Sequence, residues 1–239
     1  MPSKPKKQTK TKKQEPEFKC GFCDKPMVFE SGIIKHLCVG KQRDQEKDEK
    51  HIRYAYQVYR KFYAANWKGQ KEKGWGDFIK SRFYNDFVKV GRYIQDINAI
   101  NAPQFVDFLV RSSLPVKQWT SPVVYETFVH ELTKKESPGA AVERNILLMQ
   151  QWATDTGNNW TDFFKKVSPA QATLWIKTGR ISPWVIYICA SSENLLMRLS
   201  DEQVEIVSKY IDPEFWAVRM QGHKDEVEFL RAVFDEAGV

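Results

Sequence analysis

The sequence predicts an all-α protein: a multi-helix domain carried behind a basic arm and a short module rich in cysteine. Three observations point there. Apolar residues recur at spacings of three and four through most of the chain beyond residue 50. Ser121, Ser137, Ser168 and Ser182 each precede a proline, as Asp212 precedes Pro213. A side-chain oxygen at the N-cap followed by proline at the first helical position satisfies one orphan amide and removes another, so these junctions read as helix starts. Outside the cysteine-bearing module no period-two alternation argues for a sheet.

Taken in order, residues 1–16 form the arm. Lys4, Lys6, Lys7, Lys10, Lys12 and Lys13 stand among Ser, Thr, Gln and Pro. Such a stretch has too little apolar surface to fold, and the expectation is a disordered tail that tracks phosphates and releases their counterions. The formal charge of +7 is unevenly placed. Residues 1–43 hold eleven Lys and Arg against four Asp and Glu, and the rest of the chain carries 26 of each sign. Any long-range pull on a polyanion therefore comes from the first 43 residues.

Residues 17–40 are the cysteine-bearing module. Cys20, Cys23, His36 and Cys38 follow the pattern Cys-x2-Cys-x12-His-x-Cys, and three of the four cysteines of the chain lie here. Zn²⁺ takes four tetrahedral sulfur and nitrogen donors, and a tight Cys-x2-Cys pair followed about a dozen residues later by a second pair supplies them. One structural zinc ion is the expected cofactor. Phe18, Met27 and Ile33 stand between and before these ligands in a register that resembles the Cys2His2-type zinc finger family. The resemblance covers residues 18–40 only and implies a β-hairpin packed on a short helix, with those three residues as a miniature core.

This sequence departs from that family at the closing pair. Only Leu37 separates His36 from Cys38, and on a helix positions i and i+2 point about 200° apart. The helix must end or tighten near His36, with Gly40 offering a turn that swings Cys38 back; His51 is an alternative fourth ligand, with Cys38 then a spectator. By resemblance the base-reading positions fall on Phe29, Ser31, Gly32 and Lys35, of which only Ser31 and Lys35 can hydrogen-bond to a base edge. Phosphate contact, single-stranded nucleic acid or a protein partner suit this module better than sequence-specific reading of DNA. Lys19, Lys25, Lys35 and Lys41 are its candidate phosphate contacts.

Residues 41–50, KQRDQEKDEK, read as a charged linker or the solvated first turns of a helix. From about Asp48 the pattern is helical, with Ile52, Ala55, Tyr56, Tyr59, Phe62 and Tyr63 along one face and Arg60 beside it. The stretch that follows places Trp67 and Trp75 around Lys68, Lys71 and Lys73. Aromatics beside lysines can stack bases while neutralising phosphates; equally, the tryptophans can anchor a helix–helix loop whose lysines are merely solvated.

The domain 51–239 continues as successive helices. Asp77 to Gln95 reads as one, with Ile79, Phe83, Phe87, Val90 and Ile94 on a single face. Later helices are marked by Phe128, by Met149, by Trp160 to Val167, and by a C-terminal pair around Val207 and Leu230. Ala172 to Ser191 has the outline of a helix-turn-helix, but its second helix is apolar nearly all round and reads as buried.

No catalytic constellation is legible. His130-Glu131 is followed by Lys134 where a zinc protease needs its second histidine, and no glycine loop cradles a phosphate. Cys189 lies in apolar surroundings that blunt a thiol. No run of eighteen apolar residues exists, and an unpaired Cys189 fits a reducing compartment, so an intracellular protein is expected, cytoplasmic or nucleoid/nuclear. The sequence points to a non-enzymatic nucleic-acid-binding accessory or regulatory protein whose partner is DNA or RNA, with a further protein partner for the helical domain. An adaptor that uses the finger as a docking knuckle, and a nucleic-acid-processing enzyme with a carboxylate site assembled from distant residues, remain open beside it.

Overall fold

The computed structural model describes residues 17–67, 69 and 71–239. Lys4, Lys6, Lys7, Lys10, Lys12, Lys13 and Lys68, and with them the expected disorder of the arm, lie outside the described residues. Among those described, helices dominate and the one sheet is a two-stranded ribbon, so the protein is largely all-α. No helix of the described residues is long and apolar enough to cross a membrane. The chain divides into two compact units after Asn98.

The first unit begins with β1 (Phe18–Lys19) and β2 (Pro26–Met27), paired antiparallel with Phe18 opposite Met27. The tight turn between them needs one left-handed residue, and Asp24 supplies it at φ 58°. Helix α1 (Glu30–Lys35) packs on this hairpin, and Gly32 brings its backbone so close to Met27 that a Cβ there would lie 3.3 Å from the Met27 sulfur.

The charged segment that follows is itself folded. Helix α2 (Val39–Gln45) sends Arg43 to the Ile79 carbonyl at 2.6 Å and lays its guanidinium over the Tyr84 ring at 3.9 Å. Asp44 accepts from the Trp75 indole at 2.6 Å. Charge in this stretch therefore serves docking as well as solvation.

Helix α3 (Lys50–Asn66) buries Ile52, Ala55, Val58 and Tyr59. The expected helix from Asp77 to Gln95 is two, α4 (Trp75–Ile79) and α5 (Tyr84–Asp96). The Ser81 hydroxyl accepts the Phe83 amide at 3.1 Å, a local bond that competes with helix continuation. The break leaves Phe83 exposed rather than in the core stripe. Helices α3 and α5 run against each other with Gly91 at their closest approach and Tyr59, Phe78 and Phe87 as aromatic filler.

The second unit is a succession of short helices: α6 (Ala102–Arg111), α7 (Pro122–Lys135), α8 (Pro138–Thr156), α9 (Phe163–Lys166), α10 (Pro169–Lys177), α11 (Pro183–Ile188), α12 (Ser192–Leu196), α13 (Asp201–Ser208), α14 (Pro213–Gly222) and α15 (Lys224–Ala237). All five expected proline junctions start helices. Ser137, Ser168 and Asp212 accept the first-turn amides as expected, whereas Ser121 and Ser182 make no side-chain cap. Ser182 is fully buried, and its hydroxyl turns instead to the Glu136 carboxylate at 3.4 Å. Helix α11 buries Pro183, Trp184, Val185, Ile186 and Ile188, which leaves it no polar face to present to a groove.

Candidate metal centre

The four donors of the module converge. One ligand atom each from Cys20, Cys23, His36 and Cys38 lies within 4.8 Å of the others. Cys20 follows directly on β1, and Cys23 is presented by the turn that closes when Asp24 N–H donates to the Cys20 carbonyl at 2.9 Å and Cys20 N–H to that of Lys25 at 3.0 Å. Cys20 and Cys38 sulfurs stand 4.0 Å apart, and Cys23 Sγ is 3.1 Å from His36 Nε2. Around a tetrahedral ion with metal–sulfur bonds of about 2.3 Å, two sulfurs sit about 3.8 Å apart. The residues present therefore fit one structural metal ion.

The short spacing between His36 and Cys38 is solved by ending one helix and starting another. His36 is the C-cap of α1 in an extended conformation, φ −71° and ψ 117°. Cys38 is the extended N-cap of α2, φ −118° and ψ 164°. Extended residues two apart face the same way, which is what α-helical geometry denied them. Gly40 does not make the turn; it lies inside α2, where a Cβ would come within 2.9 Å of the Phe22 Cβ, and its smallness lets α2 close on the turn of the first cysteine pair. His51 lies in α3 and is not one of the converging donors.

The electrostatics suit a thiolate site. Amides of Phe22 and Cys23 directed at the Cys20 sulfur hold that thiol below its usual value, against the opposing effect of burial. At Cys23 the Lys25 amide pulls the same way, but burial and the neighbouring Cys20 and Cys38 sulfurs outweigh it and push the thiol up. Crowded thiolates repel, and a divalent cation relieves that repulsion while requiring the deprotonated ligands. Phe18, Met27 and Ile33 are only half-buried, so the apolar core here is small.

The candidate nucleic-acid contacts are spread through the first unit. Lys25 and Lys35 are exposed, Lys19 pairs with Asp24 at 3.7 Å, and Lys41 donates to the Ile34 carbonyl at 3.2 Å. Arg60 forms an ion pair with Glu72. Trp67 is 43% exposed, whereas Trp75 is tied to Asp44 and sits edge-on to Tyr56 with ring centroids 5.3 Å apart. Lys71 is exposed, and Lys73 holds its ammonium 6.0 Å from the Tyr63 ring centroid.

Two features escaped the sequence reading. Ile34, Leu37 and Val39 are exposed beside the converging donors, as is Phe29 at the start of α1. Leu37 alternates with His36 and Cys38 in the segment between the two helices, so when the donors face inward it must face out. In the second unit Glu136 receives Arg144 through two bonds, Nε at 3.0 Å and Nη2 at 2.8 Å, while Arg144 Nη1 reaches the carbonyls of Gly179 and Arg180. Trp184 Nε1 and Arg219 both donate to the Glu136 carbonyl. Nothing in residue spacing announces that network, which joins positions up to 83 apart. Cys189 is a buried free thiol pushed up by burial. No family model, curated protein or solved structure matches this chain.

Proposed function

We propose that this is a zinc-stabilised nucleic-acid-binding protein, an accessory or regulatory factor rather than a catalyst, in which the arm and the metal-stapled module hold the phosphate backbone. One observation carries the reading: the whole excess of positive charge falls in residues 1–43, the same stretch in which Cys20, Cys23, His36 and Cys38 converge. Zinc is the ion favoured by three sulfurs and one imidazole. Bound there, it supplies folding energy to a segment whose own core is too small to hold it. Lysines on the arm and Lys19, Lys25, Lys35 and Lys41 then neutralise phosphates without reading sequence. Filter-binding titrations with single- and double-stranded DNA and RNA across a salt series test this. Affinity should fall steeply with salt and drop on deletion of residues 1–43; affinity indifferent to either change overturns the reading.

The exposed apolar set of Phe29, Ile34, Leu37 and Val39 favours a second reading, in which the module docks a protein. It predicts a partner that survives nuclease treatment and is lost when Cys20→Ser and Cys23→Ser are combined. A partner retained by that variant counts against it.

A further inference from the structure

We infer that Trp67 is a stacking platform for one unpaired nucleobase, so that single-stranded nucleic acid is the preferred ligand of the groove at the end of α3; this rests on the nucleic-acid reading above and adds a second site to it. Trp67 is the C-cap of α3, and its amide closes the last turn on the Tyr63 carbonyl at 2.9 Å. Residues i and i+4 share a helix face, and the Tyr63 ring accordingly underlies the indole, with centroids 4.8 Å apart and planes 24° from parallel. Phe62 meets it edge-on at 5.8 Å. Packed on Tyr63 and Phe62, Trp67 still leaves 43% of its surface exposed.

Trp67 borders a groove of about 200 Å³ lined also by Arg60, Tyr63, Lys71, Glu72 and Lys73. Pockets for drug-sized ligands start at about 300 Å³, so this one has room for a single planar ring system. Its cations surround the aromatic ladder: Lys71 is exposed, and Lys73 stands over Tyr63. Stacking on an indole beside lysines is how sequence-tolerant single-strand binders hold each base, and a base within a duplex cannot offer its face. Trp75, eight residues on, has its N–H committed to Asp44 and its ring packed on Tyr56 and Phe78. It belongs to the fold.

Glu72 gives the groove a built-in competitor. It holds Arg60 in an ion pair at the groove wall, where an incoming phosphate would take the guanidinium from it.

Fluorescence anisotropy of the full chain with a labelled oligo-thymidylate and with a hairpin duplex of equal length tests the inference. Trp67→Ala should weaken single-strand binding about tenfold, within the range for loss of one stacked base, and leave duplex binding unchanged. Trp67→Phe should recover part of the loss, and Glu72→Gln should tighten binding to both. Circular dichroism confirms that each variant folds. Wild-type binding with Trp67→Ala unchanged, or equally weakened on both ligands, overturns the platform and leaves the arm-and-finger reading standing. Wild-type protein that binds neither ligand at low salt overturns both.

Discussion

Gly91 in α5 lies against the backbone of His51 in α3, so close that a Cβ at Gly91 would fall 2.1 Å from the His51 carbonyl oxygen and 2.8 Å from the Ala55 nitrogen. Both obstacles are helix backbone, which cannot rotate away. Gly91→Ala should therefore force α3 and α5 apart and cost the first unit about 3 kcal/mol, despite the gain in helix propensity. Gly40→Ala, whose Cβ would meet the Phe22 Cβ at 2.9 Å and the Phe22 carbonyl oxygen at 3.3 Å, should cost less, about 2 kcal/mol, because the turn that carries Phe22 can give more easily than packed helix backbone. Urea melts of the two variants check the order.

The Glu136–Arg144 pair predicts a strongly non-additive double substitution. Glu136 has a side chain only 9% exposed, and Arg144 is its sole salt-bridge partner among the described residues. Arg144→Met removes that charge and the donor to the Gly179 and Arg180 carbonyls, and should cost about 3 kcal/mol. Replacing both, Arg144→Met with Glu136→Gln, should cost clearly less than the two single losses combined. Equal sums in a double-mutant cycle would show that the pair is not coupled.

Alkaline pH should unfold the first unit cooperatively. Burial, helped by Tyr63, Asp77 and Tyr56, pushes the Tyr59 phenol from its ordinary value of 10.0 up to about 12. The folded state thus keeps a proton that the unfolded state gives up, so the stabilisation is complete below pH 10 and is lost as pH rises to about 12. The loss is roughly 3 kcal/mol. Circular dichroism should show one transition for wild type with a step of tyrosinate absorbance coincident with it, and Tyr59→Phe should diminish that step and move the midpoint upward.

Metal removal should act locally. A chelator should abolish the amide protection of the hairpin and α1, while α3 and α5, which have their own buried contacts through Ala55, Tyr59 and Phe87, stay protected. Hydrogen exchange read by mass spectrometry separates the two regions. Uniform loss of protection across the first unit would show that the metal holds more than its own module.

The features legible in the sequence were those whose physics is local. Cys20, Cys23, His36 and Cys38 announced themselves because their donors must meet within a loop of nineteen residues, and the proline junctions because N-cap chemistry acts within one turn. Less was legible wherever a distant partner decided the outcome. Ser182 loses its capping role to Glu136, 46 residues away. The charged segment after Cys38 forms α2 because Ile79, Trp75 and Tyr84 receive Arg43 and Asp44. Gly40 read as a turn because its partner Phe22 was not visible as a neighbour. Of the two tryptophans flanking the lysines, only the fold distinguishes the exposed Trp67 from the packed Trp75.

The role proposed for the cysteine-bearing module rests on a metal ion at the four converging donors. Native mass spectrometry of the purified full chain, with elemental analysis of the same sample, tests it most directly. The expected result is one zinc per chain in wild type and none when Cys20→Ser and Cys23→Ser are combined. A wild-type protein that carries no stoichiometric metal, yet keeps its hairpin and α1 protected from exchange, would contradict it.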